Sequence, residues 1–279
     1  MKVNSIITLT TDFGISDPFV GMMKGVMLSI NPSIKFIDIS HQVEPQNIIQ
    51  AYLILNYSYK YFPSGTIHLS VVDPDVGSKR LPILIKSGEY YFVGPDNGIF
   101  SFIFKNEPPP FPSPLKGEGG VRVFELTENK FFLPSVSSTF HGRDIFASVA
   151  AHLSRGVKPS EFGKPINNPV MLKIPEPSMR GNEIRGEVIY IDRFGNLITN
   201  VSLDKFYKTV SGLKSKNFNI RIKDLKITHI YKSYSDAEDL KPSSIFNSWG
   251  LLEIFIKNRN AGMKLGIKKG EKVVIKFKK

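Results

Sequence analysis

Cysteine is absent from the 279 residues, which excludes disulfides, thiolate metal sites and a cysteine nucleophile. No apolar run approaches the ~20 residues that a membrane-spanning helix needs. The opening MKVNSIITLTTDFG lacks the small-residue cleavage site of a secretory leader, and Asp12 interrupts it early. A cytoplasmic protein with no membrane partner is the expectation. Familiar nucleotide and metal signatures are missing as well: there is no GxGxxG after the first strand, no Walker-type glycine loop and no HExxH. A GxSxG elbow is also absent. The residues therefore suggest no bound cofactor or metal, and no internal repeat is visible.

The chain carries a formal charge of +12, a balance that fits either a nucleic-acid partner or a lysine-rich solvated surface. The lysines are scattered rather than clustered, and no nucleic-acid-binding motif accompanies them. The densest group, KKGEKVVIKFKK, alternates with Val274, Ile275 and Phe277. That pattern suits a terminal edge strand guarded by lysine against edge-to-edge pairing. The solvated surface is the favoured reading, with no nucleic-acid partner expected.

With 41% hydrophobic and 22% charged residues the chain reads as globular, and it is long enough for two modest domains or one large one with a substantial core. SIITLTTDF is strand-like. From Asp17 the spacing of Phe19, Val20, Met23, Val26, Met27 and Ile30 predicts a helix stopped at Asn31-Pro32. KFIDIS reads as a strand, Pro45 to Tyr61 as a helix, and TIHLSVVD as a third strand. This β-α-β-α-β order predicts an α/β domain with a mainly parallel sheet covered by helices. PILIKSGEYYFVG predicts a hairpin turning at Ser87-Gly88. The stretch NEPPPFPSPLKGEGG, residues 106–120, reads as an exposed insertion. Strands are expected at VRVFELT and KFFLP. Ile145, Phe146, Val149, Ala150 and Leu153 then mark a helix that ends near Gly156. Composition shifts around residues 157–181, and short β-like runs separated by turns follow. They predict a smaller all-β, barrel-like C-terminal domain, with a boundary near Pro175. The expected domains are residues 1–174 and 175–279.

Polar residues collect where strands are predicted to end. Asp12 and Asp17 flank the first turn, Asp73 ends the third strand in VVDPDVGSKR, and Arg80 follows seven residues later. His141 sits in FHGRD at a helix start. Open α/β sheets bind ligands beyond the carboxyl ends of their strands, so these positions can converge on one pocket. Each also has a plainer reading. Asp17 before Pro18 suits a helix N-cap, Asp73-Pro74 a turn, Arg80 a surface cation and His141 a capping or structural histidine.

The stretches TLTTDFGISDPFVGMMKGV, VVDPDVGSKR, FHGRDIFASVAAHLS, IDRFGNLITN and NSWGLLEIFIKNRNA resemble the S-adenosyl-L-methionine hydroxide adenosyltransferase family, relatives of the bacterial fluorinase and chlorinase. The resemblance covers nearly the whole chain in the family's order. It implies an α/β domain joined to a barrel-like domain, and a homotrimer whose substrate lies between the N-terminal domain of one subunit and the C-terminal domain of its neighbour. It also implies hydrolysis of S-adenosyl-L-methionine to adenosine and L-methionine, with a catalytic set at Asp73, Arg80 and His141. The halogenases carry tyrosine at the position of Asp73 and serine at that of Gly142, so the resemblance points to a water user. It further implies that Asp12 grips the ribose hydroxyls, Asp17 meets the methionine amine and Phe140 lines the reaction centre. Asp192 and Asn196 would lie near the methionine and nucleoside portions, and Ser248, Glu253 and Ala261 would cover methionine and adenine. Asp75 departs from the family's usual glycine, and the proline-rich insertion lies outside its pattern.

On this reading water attacks the ribose C5′ and a neutral thioether leaves, so the leaving group needs no general acid and no metal. The enzyme must hold water in line and ease its proton loss. Three alternatives compete. A halogenase of the same superfamily and a methyltransferase would use the same substrate differently, and a nucleoside-binding module would have lost catalysis.

Overall fold

The computed structural model describes residues 3–105, 120–212 and 217–278. Apart from Gly120, the proline-rich stretch lies outside the described residues. The chain divides into two compact units, Met1–Leu172 and Lys173–Lys279.

The first unit begins β1 (Ile6–Thr11), α1 (Phe19–Ile30), β2 (Lys35–Ser40), α2 (Ile48–Ser58) and β3 (Ile67–Val71). It continues with β4 (Pro82–Ser87), β5 (Tyr90–Pro95), β6 (Arg122–Leu126), a π-helical turn (Gly142–Ala147), α3 (Ser148–Ser154) and β7 (Gly163–Ile166). Met23 and Met27, one helical turn apart, are fully buried against Ile7, Leu9 and Leu69. Burying each such side chain contributes about 1.5–3 kcal/mol. Helix α1 stops at Asn31, whose N–H still reaches the Met27 carbonyl, while its side chain donates to the Ser154 hydroxyl on α3.

The strands form one sheet in the order β2-β1-β3-β5-β4-β6-β7. The expectation of a mainly parallel sheet needs correction. The first three neighbouring pairs are parallel and the last three antiparallel, so the sheet is mixed. The β4–β5 hairpin places β5 beside β3 and reverses β4, and β6 and β7 then add antiparallel neighbours. KFFLP is likewise not a strand. Asn129–Phe131 forms a 3₁₀ turn whose Phe131 ring packs 4.6 Å from that of Phe162, and Pro134 comes three residues later.

The second unit contains β8 (Ser178–Arg180), β9 (Glu183–Ile191), β10 (Leu197–Ser202), α4 (Leu203–Ser211) and β11 (Phe218–Ile222). Then come β12 (Leu225–Ile227), β13 (Ile230–Tyr231), β14 (Pro242–Phe246), β15 (Leu251–Ile256), α5 (Ala261–Leu265) and β16 (Lys272–Phe277). Its sheet runs β12-β11-β16-β9-β10-β15-β14-β13, with β8 also on β9. Cα atoms of β12 and β14, near opposite ends of that path, lie within 8 Å of one another, so the sheet curls. The unit is β-rich rather than all-β. The Ser202 hydroxyl caps α4 and Phe206 and Val210 bury one face of it, while the Asn260 side chain caps α5.

Strand β16 is not the lysine-guarded edge that its alternation suggested, since it lies between β11 and β9. Lys272 and Lys276 stand opposite Glu187 and Glu183 of β9 and pair with them. Their charges serve cross-strand ion pairing.

Candidate active site

Asp12 follows β1 and Asp73 follows β3, so both carboxylates stand beyond the C-terminal ends of parallel strands. Arg80 comes from the loop leading into β4, and His141 immediately precedes the π-helical turn. Three of these side chains meet. Arg80 Nε donates to both Asp73 oxygens, at 3.1 and 2.9 Å, and Nη2 also donates to Oδ2. Nη2 lies 2.9 Å from His141 Nδ1. The Asp73 and Arg80 side chains are only 5% and 6% exposed, so this ion pair is largely removed from water and sensitive to loss of either partner. The guanidinium also stacks over the Phe146 ring at 5.2 Å. Burial and the neighbouring Arg80 push the His141 pKa below its ordinary value, against opposing pulls from Asp73, Asp144 and the Ser137 backbone.

The backbone around this trio is held by residues that the sequence did not single out. Asp144 is fully buried and accepts from the Ser137 N–H at 2.8 Å, the Ser137 hydroxyl at 2.7 Å and Arg143 Nε at 2.6 Å. Burial raises its pKa, but Arg143 and Ser137 outweigh that and hold the carboxyl below the usual range. The Ser137 hydroxyl in turn accepts the Phe140 N–H, fixing the segment that delivers Phe140 and His141. Asn97 donates to the Val72 carbonyl and so anchors the chain just before Asp73. Gly77 has φ +80°, and a Cβ there would stand 2.5 Å from the Ser138 carbonyl oxygen. The Asp73–Arg80 loop can therefore lie against the Ser137–Phe140 segment only with glycine at this point. One signal for Asp144 was present: a carboxylate directly before the apolar stripe must be paired when buried.

The remaining positions of the first unit are more open. Asp12 accepts the Gln46 N–H at 2.8 Å, which commits one carboxylate oxygen to the loop after β2. Asp17 is exposed and does not cap α1, whose N-cap is Pro18 with no side-chain hydrogen bond. The capping reading of Asp17 therefore falls. Phe140 packs edge-on against Phe13 at 5.7 Å and Phe19 at 5.3 Å, forming an aromatic wall that the sequence represented by Phe140 alone. A Cβ at Gly142 would come 3.2 Å from the Phe140 ring and 3.5 Å from Met23 and Phe13, so a larger residue there must press on this wall. Asp75 is exposed, and its carbonyl accepts the Ser78 N–H in the turn between Asp73 and Arg80.

In the second unit a cavity of about 740 Å³ is lined by Asp192, Phe194, Asn196, Tyr234, Phe255 and Asn260, among others. Its size falls in the range of small-molecule sites. Asp192 Oδ1 accepts the N–H groups of Phe194 and Asn196 at 2.9 and 2.8 Å, and its Oδ2 accepts the Asn196 amide at 3.1 Å. Ser248, Glu253 and Ala261 do not line this cavity. Ser248 is exposed in the β14–β15 turn, and Ala261 is buried at the start of α5. Glu253 is buried and accepts from Tyr234, a cavity residue that sequence reasoning missed, and from Asn247, at 2.8 and 3.0 Å. Burial pushes the Glu253 carboxyl above the usual range despite those donors. Among the described residues no group of three or more His, Asp or Glu side chains could hold a metal ion. No helix among them is long and apolar enough to cross a membrane.

A buried carboxylate–guanidinium pair with an imidazole on it, beyond the ends of parallel strands, can orient a polar nucleophile, and the curled β-rich unit has a cavity of small-molecule size. Residues 7–163 match the SAM hydroxide adenosyltransferase N-terminal domain and residues 186–274 the C-terminal domain of the same name. The chain belongs to the SAM hydroxide adenosyltransferase family. It is 38% identical over 274 residues to an (R)-S-adenosyl-L-methionine hydrolase of Methanocaldococcus jannaschii, covering 94% of this chain and 92% of that protein. A fluorinase of Actinoplanes sp. is more distant, at 23% identity over 76% of this chain and 77% of its own. The crystal structure of an uncharacterized conserved protein from Thermotoga maritima superposes with a TM-score of 0.84 at 33% identity, covering 96% of this chain and 99% of that one.

Proposed function

We propose that the protein hydrolyses S-adenosyl-L-methionine to adenosine and L-methionine by attack of water at the ribose C5′. The observation that carries this reading is the buried contact of Arg80 with both Asp73 and His141, in a chain 38% identical to a protein named as such a hydrolase. Asp73 accepts a hydrogen bond or the proton from water as the C5′–O bond forms. The C5′–S electron pair goes to sulfur, which leaves as a neutral thioether. Arg80 orients the carboxylate through its planar fork. His141, neutral and accepting from Arg80 at Nδ1, supplies its Nε2–H to fix the second direction of water. In this reading Asp12 grips the ribose diol, Asp17 meets the methionine amine, and Phe140 shields the reaction centre. Asp192, Asn196, Ser248, Glu253 and Ala261 serve the methionine and adenine portions.

The proposal assigns catalysis to residues 1–174 and substrate covering to the barrel-like residues 175–279, in a cytoplasmic homotrimer with sites shared between subunits. No metal or cofactor takes part. A halogenase reading has less support: the resemblance implies tyrosine and serine in halogenases where Asp73 and Gly142 stand here, and a side chain at Gly142 would press on Phe140. The experiment is a product assay in halide-free, ¹⁸O-labelled water after chelator treatment. Adenosine labelled at the 5′-hydroxyl, with equimolar methionine, is expected. Unlabelled adenosine, S-adenosylhomocysteine, or activity that only added metal restores would each defeat the proposal.

A further inference from the structure

At the end of the first unit's sheet opposite to Asp73, a cavity of about 360 Å³ opens beside Val3, before β1, and Gly156, after α3. Three cations line it, Lys86 at the end of β4 and Arg155 and Lys158 on the loop after α3, and no acid does. None of the three belongs to an ion pair among the described residues. Lys86 also stands directly opposite Arg122 across the β4–β6 ladder, and like charges so placed destabilise a sheet. Glu161, the acid next along the chain, is occupied by the Lys158 backbone N–H at 3.0 Å. A helix C-terminus accounts for Arg155, but it does not account for Lys86 on a strand.

Tyr91 supplies an independent observation. It is 3% exposed, and its ring belongs to the core with Leu84, Val93 and Leu126. Its hydroxyl finds no partner among the described residues. That oxygen is not fully enclosed, and the residue lines this cavity. A mostly buried phenol normally finds a hydrogen-bond partner.

We propose that this cavity binds a phosphate group, with Tyr91 donating a hydrogen bond and Lys86, Arg155 and Lys158 supplying the charge. Arg155 and Lys158 are exposed, and Arg155 Nη1 also donates to the Ile30 carbonyl at 3.4 Å; a compact dianion with several acceptor oxygens still matches three lining cations and one hydroxyl better than a monoanionic carboxylate does. The source is either free phosphate or a phosphate ester whose organic body meets the apolar rim of Val3, Val157 and Pro159.

Titration calorimetry of the full chain at fixed ionic strength, with orthophosphate and separately with phenyl phosphate, tests this. One site per chain is expected, with a Kd of about 1 mM or tighter. Tighter phenyl phosphate assigns the site to esters, and equal or weaker phenyl phosphate assigns it to the free ion. Lys86→Ala combined with Lys158→Ala is expected to weaken binding at least about tenfold, the effect of even one of the two charge-assisted contacts it removes. Tyr91→Phe, which keeps the ring in the core, is expected to weaken it about threefold to tenfold with melting temperature and turnover unchanged. Absence of saturable binding, or equal affinity in wild type and in these variants, overturns the proposal.

Discussion

His141 Nδ1 lies 2.9 Å from Arg80 Nη2, and because a guanidinium can only donate, Nδ1 is the accepting, unprotonated nitrogen. The neutral ring therefore carries its proton on Nε2. Burial and Arg80 both disfavour a second proton. Activity should fall on the acid side only below the ordinary histidine value of about 6.5. Arg80→Gln removes one depressing cause, so the ring should titrate at higher pH in that variant. NMR titration of the His141 ring checks both statements, and a wild-type midpoint at or above the ordinary value contradicts them.

Asp73→Asn keeps size and one acceptor oxygen but removes the charge. Turnover should fall about 10²–10⁴-fold, the range for one positioned proton-transfer group, with a much smaller change in substrate affinity. Combining it with His141→Ala should cost far less than the product of the single losses, because both act on the same water. Single-turnover rates and binding titrations separate the two quantities. Near-normal turnover with poor binding would show that these residues only hold substrate.

Gly77→Ala and Asp144→Asn probe the scaffold behind the trio. Alanine at φ +80° would also press on the Ser138 carbonyl; about 1–2 kcal/mol of strain is expected, together with at least tenfold lower turnover as the two loops separate. Asp144→Asn weakens charge-assisted hydrogen bonds to Ser137 and Arg143. A loss of about 2 kcal/mol, or about 4–8 °C in melting temperature for a unit of this size, is expected. Unchanged melting and kinetics in both variants would remove these residues from the account.

His68 is fully buried, hydrogen-bonded to Thr8 at 2.8 Å and surrounded by the rings of Tyr59, Phe62, Tyr90 and Phe92. Burial pushes its pKa down to about 3. The folded protein thus keeps it neutral, whereas the unfolded chain protonates it below about 6.5. Its contribution to stability is complete above that pH and declines as pH falls toward 3, with a slope of up to about 1.4 kcal/mol per pH unit. Denaturant unfolding of His68→Gln should show a flatter acid dependence than wild type over this window. Parallel curves would refute the assignment.

Much of the candidate site was legible because the residues that meet there, Asp73, Arg80 and His141, lie in short local motifs. Asp73 and Arg80 share one loop, and FHGRD fixes His141 relative to its helix. Helices α1 and α2 were likewise readable from spacing and stop signals. What escaped the sequence depends on distant pairing. Nothing local in PILIKSGEYYFVG reveals that its second strand joins β3 while its first meets β6. The lysines of β16 read as guards until Glu183 and Glu187 appear opposite them. Asp17 looked like a cap because Asp-Pro is a common helix entry, yet the helix starts after Pro18 without using that side chain.

The interior position of β16 governs the order in which the second unit can assemble during synthesis. Strands β9 and β11 are both translated before the strand that joins them. Until residues 272–277 emerge from the ribosome, each exposes an unsatisfied edge to other nascent chains. A stop between the end of β11 and Lys272 would leave a polypeptide with both of these edges open. Closure of the second unit's sheet is therefore a late event, delayed until the strand shared by β9 and β11 has been made.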